Sequence, residues 1–251
     1  MTSIILKGCN GKMGQVITQI VEEDDNSVIV AGVDIRSDRN NKYPFYHSIL
    51  QCNVKADVII DFSSPENLGE MLNYAMNRKI GIVLCTTGFT GEDLALIEDA
   101  SKQIPILRSA NMSMGINLIL KLVQEAAKHL SEAGFDIEIV ERHHNKKLDA
   151  PSGTALAIAD AMNSVLNMEY EYKYDRSGER QARGKKEIGF SAVRGGTIVG
   201  EHEVIFAGTD EVIEISHTAY SRAVFANGAV QAAKFLPTRG PGMYGMNDVL
   251  S

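Results

Sequence analysis

The feature that most constrains this chain is a short apolar run, a glycine loop and an amphipathic stretch that follow one another without a gap. Residues 3–7 (SIILK) read as a buried strand. Residues 7–14 (KGCNGKMG) place glycines at 8, 11 and 14 directly after it. Residues 11–23 then carry Met13, Val16, Ile17, Ile20 and Val21 on one helical face. Glycines there permit a tight turn and let a pyrophosphate approach the backbone at a helix N-terminus. Asp34 lies twenty residues past Gly14, at the end of a second apolar run (28–34, VIVAGVD), where a carboxylate can take a ribose hydroxyl. The GxGxxG pattern is broken, because Asn10 stands where its second glycine would fall. A plain strand–turn–helix is the bland reading of the glycines alone. The strand–loop–helix context together with Asp34 favours a dinucleotide site.

The same alternation continues. Residues 57–62 (DVIIDF), 80–85 (IGIVLC) and 104–108 read as further strands, and helical patterns separate them. A helix after 57–62 is expected to be capped by Ser63 or Ser64, with Pro65 in its first position. Such βαβ units imply a parallel sheet of the α/β class. After Asn111 the pattern changes. Residues 113–131 form a long amphipathic helix, 135–141 (FDIEIVE) alternate like a strand, and 153–166 are helical. The charged, Tyr-rich stretch 169–186 reads as a loop too irregular for a core element. Residues 187–193, 198–207 and 211–218 read as antiparallel strands, with turns at Gly195-Gly196 and Gly208-Thr209-Asp210, and a final helix covers about 221–235. The second part is therefore α+β, with a mixed or antiparallel sheet.

Composition narrows the function class. The net charge of −7 over 251 residues argues against a general nucleic-acid binder. The three cysteines, Cys9, Cys52 and Cys85, form no CxxC pair. They are expected to be reduced thiols of a cytoplasmic protein, with no disulfide frame and no metal site. The opening MTSIILKGCNG has no signal-peptide pattern, and no apolar run reaches membrane-spanning length, so neither export nor membrane insertion is expected.

Against that acidic background, residues 141–155 (ERHHNKKLDAPSGTA) concentrate positive and titratable side chains. His143 and His144 are adjacent, so on an extended segment they face opposite ways. Lys147 follows, and Ser152 leads into a helix beginning near Gly153. Lysine, histidine and a helix N-terminus together suit an anionic, carboxylate-bearing substrate. A solvated basic loop is the bland alternative. At the strand ends, DFSSPE (61–66), CTTG (85–88) and SANMSMG (109–115) should border the second half of a dinucleotide site.

These motifs together resemble the dihydrodipicolinate reductase (4-hydroxy-tetrahydrodipicolinate reductase) family of bacterial lysine and diaminopimelate biosynthesis. The family signature E-x-H-H-x-x-K-x-D-A-P-S-G-T-A is matched at Glu141, His143, His144, Lys147 and residues 149–155. GCNGKMG, Thr86–Gly88, the A-N-x-S-x-G segment 110–115, RGG at 194–196, VGEH at 199–202, SRAVFANGA at 221–229 and the tail MYGMNDVL match as well. The resemblance implies a Rossmann-like, doubly wound NADH- and/or NADPH-binding domain over residues 1–112 and 222–251. It also implies a substrate-binding and oligomerisation domain over 113–221, a dicarboxylate substrate and a homotetramer. By the same resemblance, His143 is the acid/base and Lys147 a second proton donor. His144, Ser152, Gly153, Thr154 and Thr87 hold the substrate. Gly8, Cys9, Asn10, Gly11, Lys12, Met13, Gly14, Asp34, Arg36, Phe62, Cys85, Thr86, Thr87, Ser109, Ala110, Asn111, Met112, Arg222 and Phe225 bind the cofactor. Cys85 stands where many members have Gly, and Met112 where some have Phe. Another two-domain NAD-dependent dehydrogenase of amino-acid metabolism would share the glycine loop without needing HHxxK beside PSGT. A non-catalytic dinucleotide-binding regulator would tolerate loss of His143 and Lys147.

Overall fold

The computed structural model describes residues 1–37, 39–109 and 111–251. In chain order its first half comprises β1 (Thr2–Lys7), α1 (Lys12–Glu22), β2 (Ser27–Val33), β3 (Phe45–Tyr46), β4 (Val58–Asp61), α2 (Leu68–Arg78), β5 (Gly81–Leu84), α3 (Gly91–Ser101) and β6 (Pro105–Arg108). There follow α4 (Met114–Leu130), β7 (Asp136–His143), α5 (Gly153–Val165), β8 (Glu171–Lys173), β9 (Glu187–Arg194), β10 (Gly200–Ala207) and β11 (Val212–Ala219). The chain ends with α6 (Ala223–Phe235), β12 (Gly242–Tyr244) and α7 (Met246–Val249). It divides into two compact units, Met1–Met114 with Ala223–Ser251, and Gly115–Arg222.

The first unit is a seven-stranded parallel sheet in the order β12-β6-β5-β4-β1-β2-β3. Its central strands are buried on both faces, which is why β1, β4 and β5 read as near-continuous apolar runs. Ile4, Leu6 and Ile60 pack with Ile17 of α1 and Ala226 and Val230 of α6. Ile5, Ile59 and Ile82 pack on the opposite face with Met71 of α2 and Ile97 of α3. The strand order reverses between β1 and β4, so the carboxyl ends of these two strands frame the natural ligand crevice. Thr90 caps α3 through a reciprocal bond with Asp93.

The helix after β4 starts later than expected. Leu68 is its first residue, Asn67 in the left-handed region precedes it, and no side chain caps it. Ser63 is engaged elsewhere: its hydroxyl donates to Asp61 at 2.5 Å and accepts from Lys7.

The second unit is a five-stranded sheet in the order β11-β10-β7-β9-β8. The expectation of three antiparallel strands over 187–218 is corrected here. Only β10 and β11 form an antiparallel hairpin, whereas β9 lies parallel to β7 on its other side. The Gly195-Gly196 turn therefore crosses the end of β7. The Gly195 N–H donates to His143 O (2.9 Å), and the Asn145 N–H donates to Gly196 O (3.2 Å). The stretch 169–186 also holds a strand, β8, parallel to β9 at the sheet edge. Tyr172 seals it by packing edge-on against Phe190, with ring centroids 5.6 Å apart.

One face of this sheet is covered by α4 and α5. Ile137 and Ile139 of β7, Val204 and Phe206 of β10 and Ile188 and Phe190 of β9 meet Val123, Ile158 and Met162 there. Fully burying each such side chain contributes about 1.5–3 kcal/mol.

Candidate active site

In the first unit the glycine loop is shaped by close approach. Gly8 has φ +80°, and a Cβ there would sit 2.5 Å from Phe62 O; one on Gly14 would sit 2.2 Å from Gly8 O. Asn10 replaces the usual second glycine because its amide ties the loop to the segment after β2. Its backbone N–H donates to Asp34 Oδ2 (2.9 Å), its side-chain NH2 to Arg36 O, and its Oδ1 accepts from Asn41 (2.8 Å). Gly11 precedes α1, whose first turn has no capping side chain and no acidic residue, leaving N–H groups for an anion. Lys12 is exposed and Met13 half-buried at this helix start. Cys9 is fully buried, and burial pushes its thiol up to about 12, so its side chain is packing.

Asp34 and Arg36 line one cavity of about 330 Å³ with Gly8, Gly11, Phe62 and Ser64. Arg36 reaches it because the chain turns after β2. Asp34 Oδ1 accepts the Arg36 N–H at 3.0 Å, so the alternation of an extended strand stops there. Glycines at the loop and a carboxylate at the end of β2 are the features with which such crevices hold dinucleotides, and the half-buried Phe62 lines the same cavity. The sequence motifs contained Lys7 and Asp61 only as their first letters, with no role assigned, and did not reach Ser48. Lys7 and Ser48 also line the cavity, and Lys7 is paired with Asp61. Their signal was positional, since Lys7 and Asp61 are the last residues of their strands.

Of the other residues of this unit, Thr86 is buried and donates to Asp61 Oδ2 (2.9 Å), while Thr87 is exposed. The Cys85 N–H donates to Asp61 O (3.0 Å), and burial holds its thiol well above the ordinary range. Ser109 Oγ donates to Asn111 O (2.9 Å), and Asn111 Oδ1 accepts from Ser113 N (2.9 Å). Met112 is a core residue whose carbonyl lies where a Cβ on Gly228 would be, so it faces the interior. Phe225 packs half-buried on the same core. Ala110 lies outside the described residues.

In the second unit the polar site is the continuation of a hydrophobic column. Along β7, Ile137, Ile139, Glu141 and His143 are the buried positions. Val204 faces Ile139 across the β7–β10 pair and His202 faces Glu141, while Arg194 of β9 pairs in register with His143. Glu141 is completely buried. Arg194 donates to both of its oxygens (2.7 Å each), the Ser152 N–H to Oε1 (3.0 Å), and His143 Nδ1 lies 2.6 Å from Oε2. Burial alone would push this carboxyl up, but Arg194, His143 and Ser152 together hold it below the usual carboxylate range. His202 stacks edge-on to His143 at 5.1 Å and bonds Ser152 Oγ at 2.9 Å; burial, with the neighbouring His143, lowers it to about 4, so it is neutral at pH 7. A Cβ on Gly200 would lie 3.1 Å from His143 Nε2, so glycine leaves room at that ring edge.

Ser152 caps α5 by accepting from Ala155 N (3.1 Å). Gly153 is exposed and Thr154 half-buried at the helix start. His144 O accepts the Lys147 N–H (3.2 Å), folding the segment back, and Lys147 Nζ pairs with Asp149 at 2.8 Å. Arg222, the last residue of this unit, is exposed. Among the described residues no group of three or more His, Cys, Asp or Glu could hold a metal ion. No helix among them is long and apolar enough to cross a membrane.

Comparison with known proteins gives one family along the whole chain. The model described as dihydrodipicolinate reductase, N-terminus, matches residues 2–112, and that described as dihydrodipicolinate reductase, C-terminus, matches 115–250. The 4-hydroxy-tetrahydrodipicolinate reductase of Caldanaerobacter subterraneus subsp. tengcongensis is 53% identical over 250 residues, covering 100% of this chain and 98% of the relative. That of Clostridium tetani is 49% identical over 251 residues with the same coverage. A dipicolinate-bound dihydrodipicolinate reductase from Paenisporosarcina sp. TG-14 superposes with TM-score 0.80 at 25% identity, covering 99% of both chains. Myo-inositol 2-dehydrogenase from Lactobacillus plantarum, at 10% identity and TM-score 0.58 over 99% of this chain and 93% of that one, shares the fold.

Proposed function

The chain belongs to the dihydrodipicolinate reductase family, and from that membership we propose that it reduces 4-hydroxy-tetrahydrodipicolinate to tetrahydrodipicolinate in diaminopimelate and lysine biosynthesis. The observation that carries the reading is that one chain holds both the glycine loop with Asp34 and the His143–Lys147 segment against the start of α5.

A bound nicotinamide dinucleotide supplies the hydride. The protein's own residues do the rest. The substrate is a cyclic imine with two carboxylates. Loss of its 4-hydroxyl as water leaves a conjugated system, and a hydride plus one proton complete the reduction. His143 delivers the proton, the general acid/base role that imidazole most often fills. Lys147 neutralises a carboxylate and draws electron density toward the ring. The N–H groups of Gly153 and Thr154 at the start of α5, with the Thr154 hydroxyl, grip one carboxylate, assisted by His144 and Ser152. An acidic protein needs this local positive field to attract a dianion. On the cofactor side, Gly8 to Gly14 would take the pyrophosphate and Asp34 the adenine ribose, with Phe62 lining the same cavity. Cys85 to Thr87, Ser109, Asn111 and Phe225 would border the nicotinamide. Asp34 favours NADH, and Arg36 lets NADPH serve as well.

The test is the loss of NAD(P)H absorbance on adding the freshly made condensation product of aspartate semialdehyde and pyruvate. Oxidation that requires that product is the expected result, and none at all overturns the reading. The working form is a cytoplasmic homotetramer; a monomeric mass by light scattering at micromolar protein would remove that part.

A further inference from the structure

We infer that Glu141 is the positioning residue of this site: its carboxylate fixes the tautomer of His143, placing a proton on Nδ1 and leaving Nε2 to exchange protons. The inference rests on the proposed acid/base role of His143. The family signature contains Glu141, but the acid/base reading gives it no task.

Arg194 and the Ser152 N–H are obligatory donors, and both already point at Glu141. A carboxylate held ionised by these partners can only accept. His143 Nδ1, 2.6 Å from Oε2, must therefore be the donor, whether the ring is neutral or charged. In the neutral ring this leaves the lone pair on Nε2, at the edge where Gly200 provides space. Strand geometry enforces the pairing, because Glu141 and His143 are two residues apart on one strand and so share a face. The other groups around the ring do not compete for the Nδ1 proton. His202 of β10 bonds Ser152 instead, Arg194 of β9 is occupied by Glu141, and Lys147 pairs with Asp149. His217 of β11 pairs in register with His202 and stands one strand further off.

The substitution Glu141→Gln has a defined consequence. Oε1 of Glu141 accepts from both Arg194 and Ser152, whereas Oε2 accepts from Arg194 and faces His143. A glutamine will place its carbonyl oxygen at the Oε1 position and its NH2 toward His143. The imidazole must then accept at Nδ1 and carry its proton on Nε2, the wrong tautomer for proton exchange with substrate. A purely structural Glu141–Arg194 ion pair would cost stability on substitution without inverting the ring.

The experiment is two-bond proton–nitrogen correlation spectroscopy on the unliganded full chain, with histidines 15N-labelled and His143 assigned by its loss in His143→Ala. Wild type should show neutral His143 as the Nδ1–H tautomer, and Glu141→Gln as Nε2–H. In kinetics, kcat of Glu141→Gln should fall by about 10²–10⁴ while KM changes less than about threefold. Glu141→Asp should keep the wild-type tautomer and recover part of kcat. An Nε2–H tautomer in wild type, or a Glu141→Gln protein with wild-type kcat, overturns the proposal. If Glu141→Gln does not fold, the wild-type tautomer decides alone. Because that spectrum needs no substrate, a wild type without reductase activity would sink the functional reading while leaving the tautomer result standing.

Discussion

Lys7 and Asp61 are the last residues of two neighbouring parallel strands, and their side chains meet at 3.2 Å with Asp61 1% exposed. The same carboxylate accepts from Thr86 (2.9 Å) and Ser63 (2.5 Å), and Lys7 also donates to Ser63. The ion pair thus closes the sheet at its switch point, and Lys7 lines the cavity there. Removing one partner of a buried pair strands the other charge and costs about 3–5 kcal/mol. With two hydroxyls still bonded to Asp61, Lys7→Met should lose about 3 kcal/mol by urea denaturation. Lys7→Met with Asp61→Asn should regain much of that loss, and a double variant no better than the single would refute the pairing as the cause.

His143→Ala should lower kcat by about 10²–10⁴ and leave substrate binding nearly intact, since a positioned proton donor is removed. Lys147→Ala should lower kcat and raise KM together, because it also loses charge neutralisation. Steady-state kinetics over a range of pH checks both, and near-normal turnover in His143→Ala removes its assignment.

Cofactor choice should turn on two neighbours at the end of β2. Wild type is expected to prefer NADH, because Asp34 repels a 2′-phosphate, and to accept NADPH through Arg36, which lines the same cavity. Arg36→Ala should lower kcat/KM for NADPH about tenfold, equivalent to about 1.4 kcal/mol, with NADH little changed. Fluorescence titration of each cofactor should show the same asymmetry. Ile35→Arg should raise NADPH use.

His202 makes stability depend on pH. Its folded value is about 4 against an ordinary 6.5. Above pH 6.5 both folded and unfolded chains hold it neutral, and its contribution is complete. As pH falls from 6.5 toward 4, the unfolded chain takes up a proton that the folded chain refuses, so stability is lost, by about 3 kcal/mol at most. His217, lowered by its own burial, acts in the same direction. Denaturation at pH 7 and pH 5 should show the decline, and His202→Gln should reduce it by about 1 kcal/mol or more. An undiminished decline would assign the effect to other groups.

Much of the first unit was legible in the chain. Apolar runs such as IILK and VIID had to be buried on both faces, and the glycine loop could only follow a strand and open a helix. The signature from Glu141 to Ala155 was equally local, because its lysine, histidines and helix start lie within fifteen residues. What the sequence could not determine was which distant segments lie beside these. That β9 runs parallel to β7, that the Gly195-Gly196 turn pins the end of β7, and that Tyr172 makes an edge strand of a polar loop follow from packing between segments tens of residues apart. Side-chain periodicity says which face of a strand is buried and nothing about which strand pairs with it. For the same reason Glu141 could be read as one letter of a motif, while its engagement with Arg194, 53 residues away, and its hold on His143 required the folded sheet.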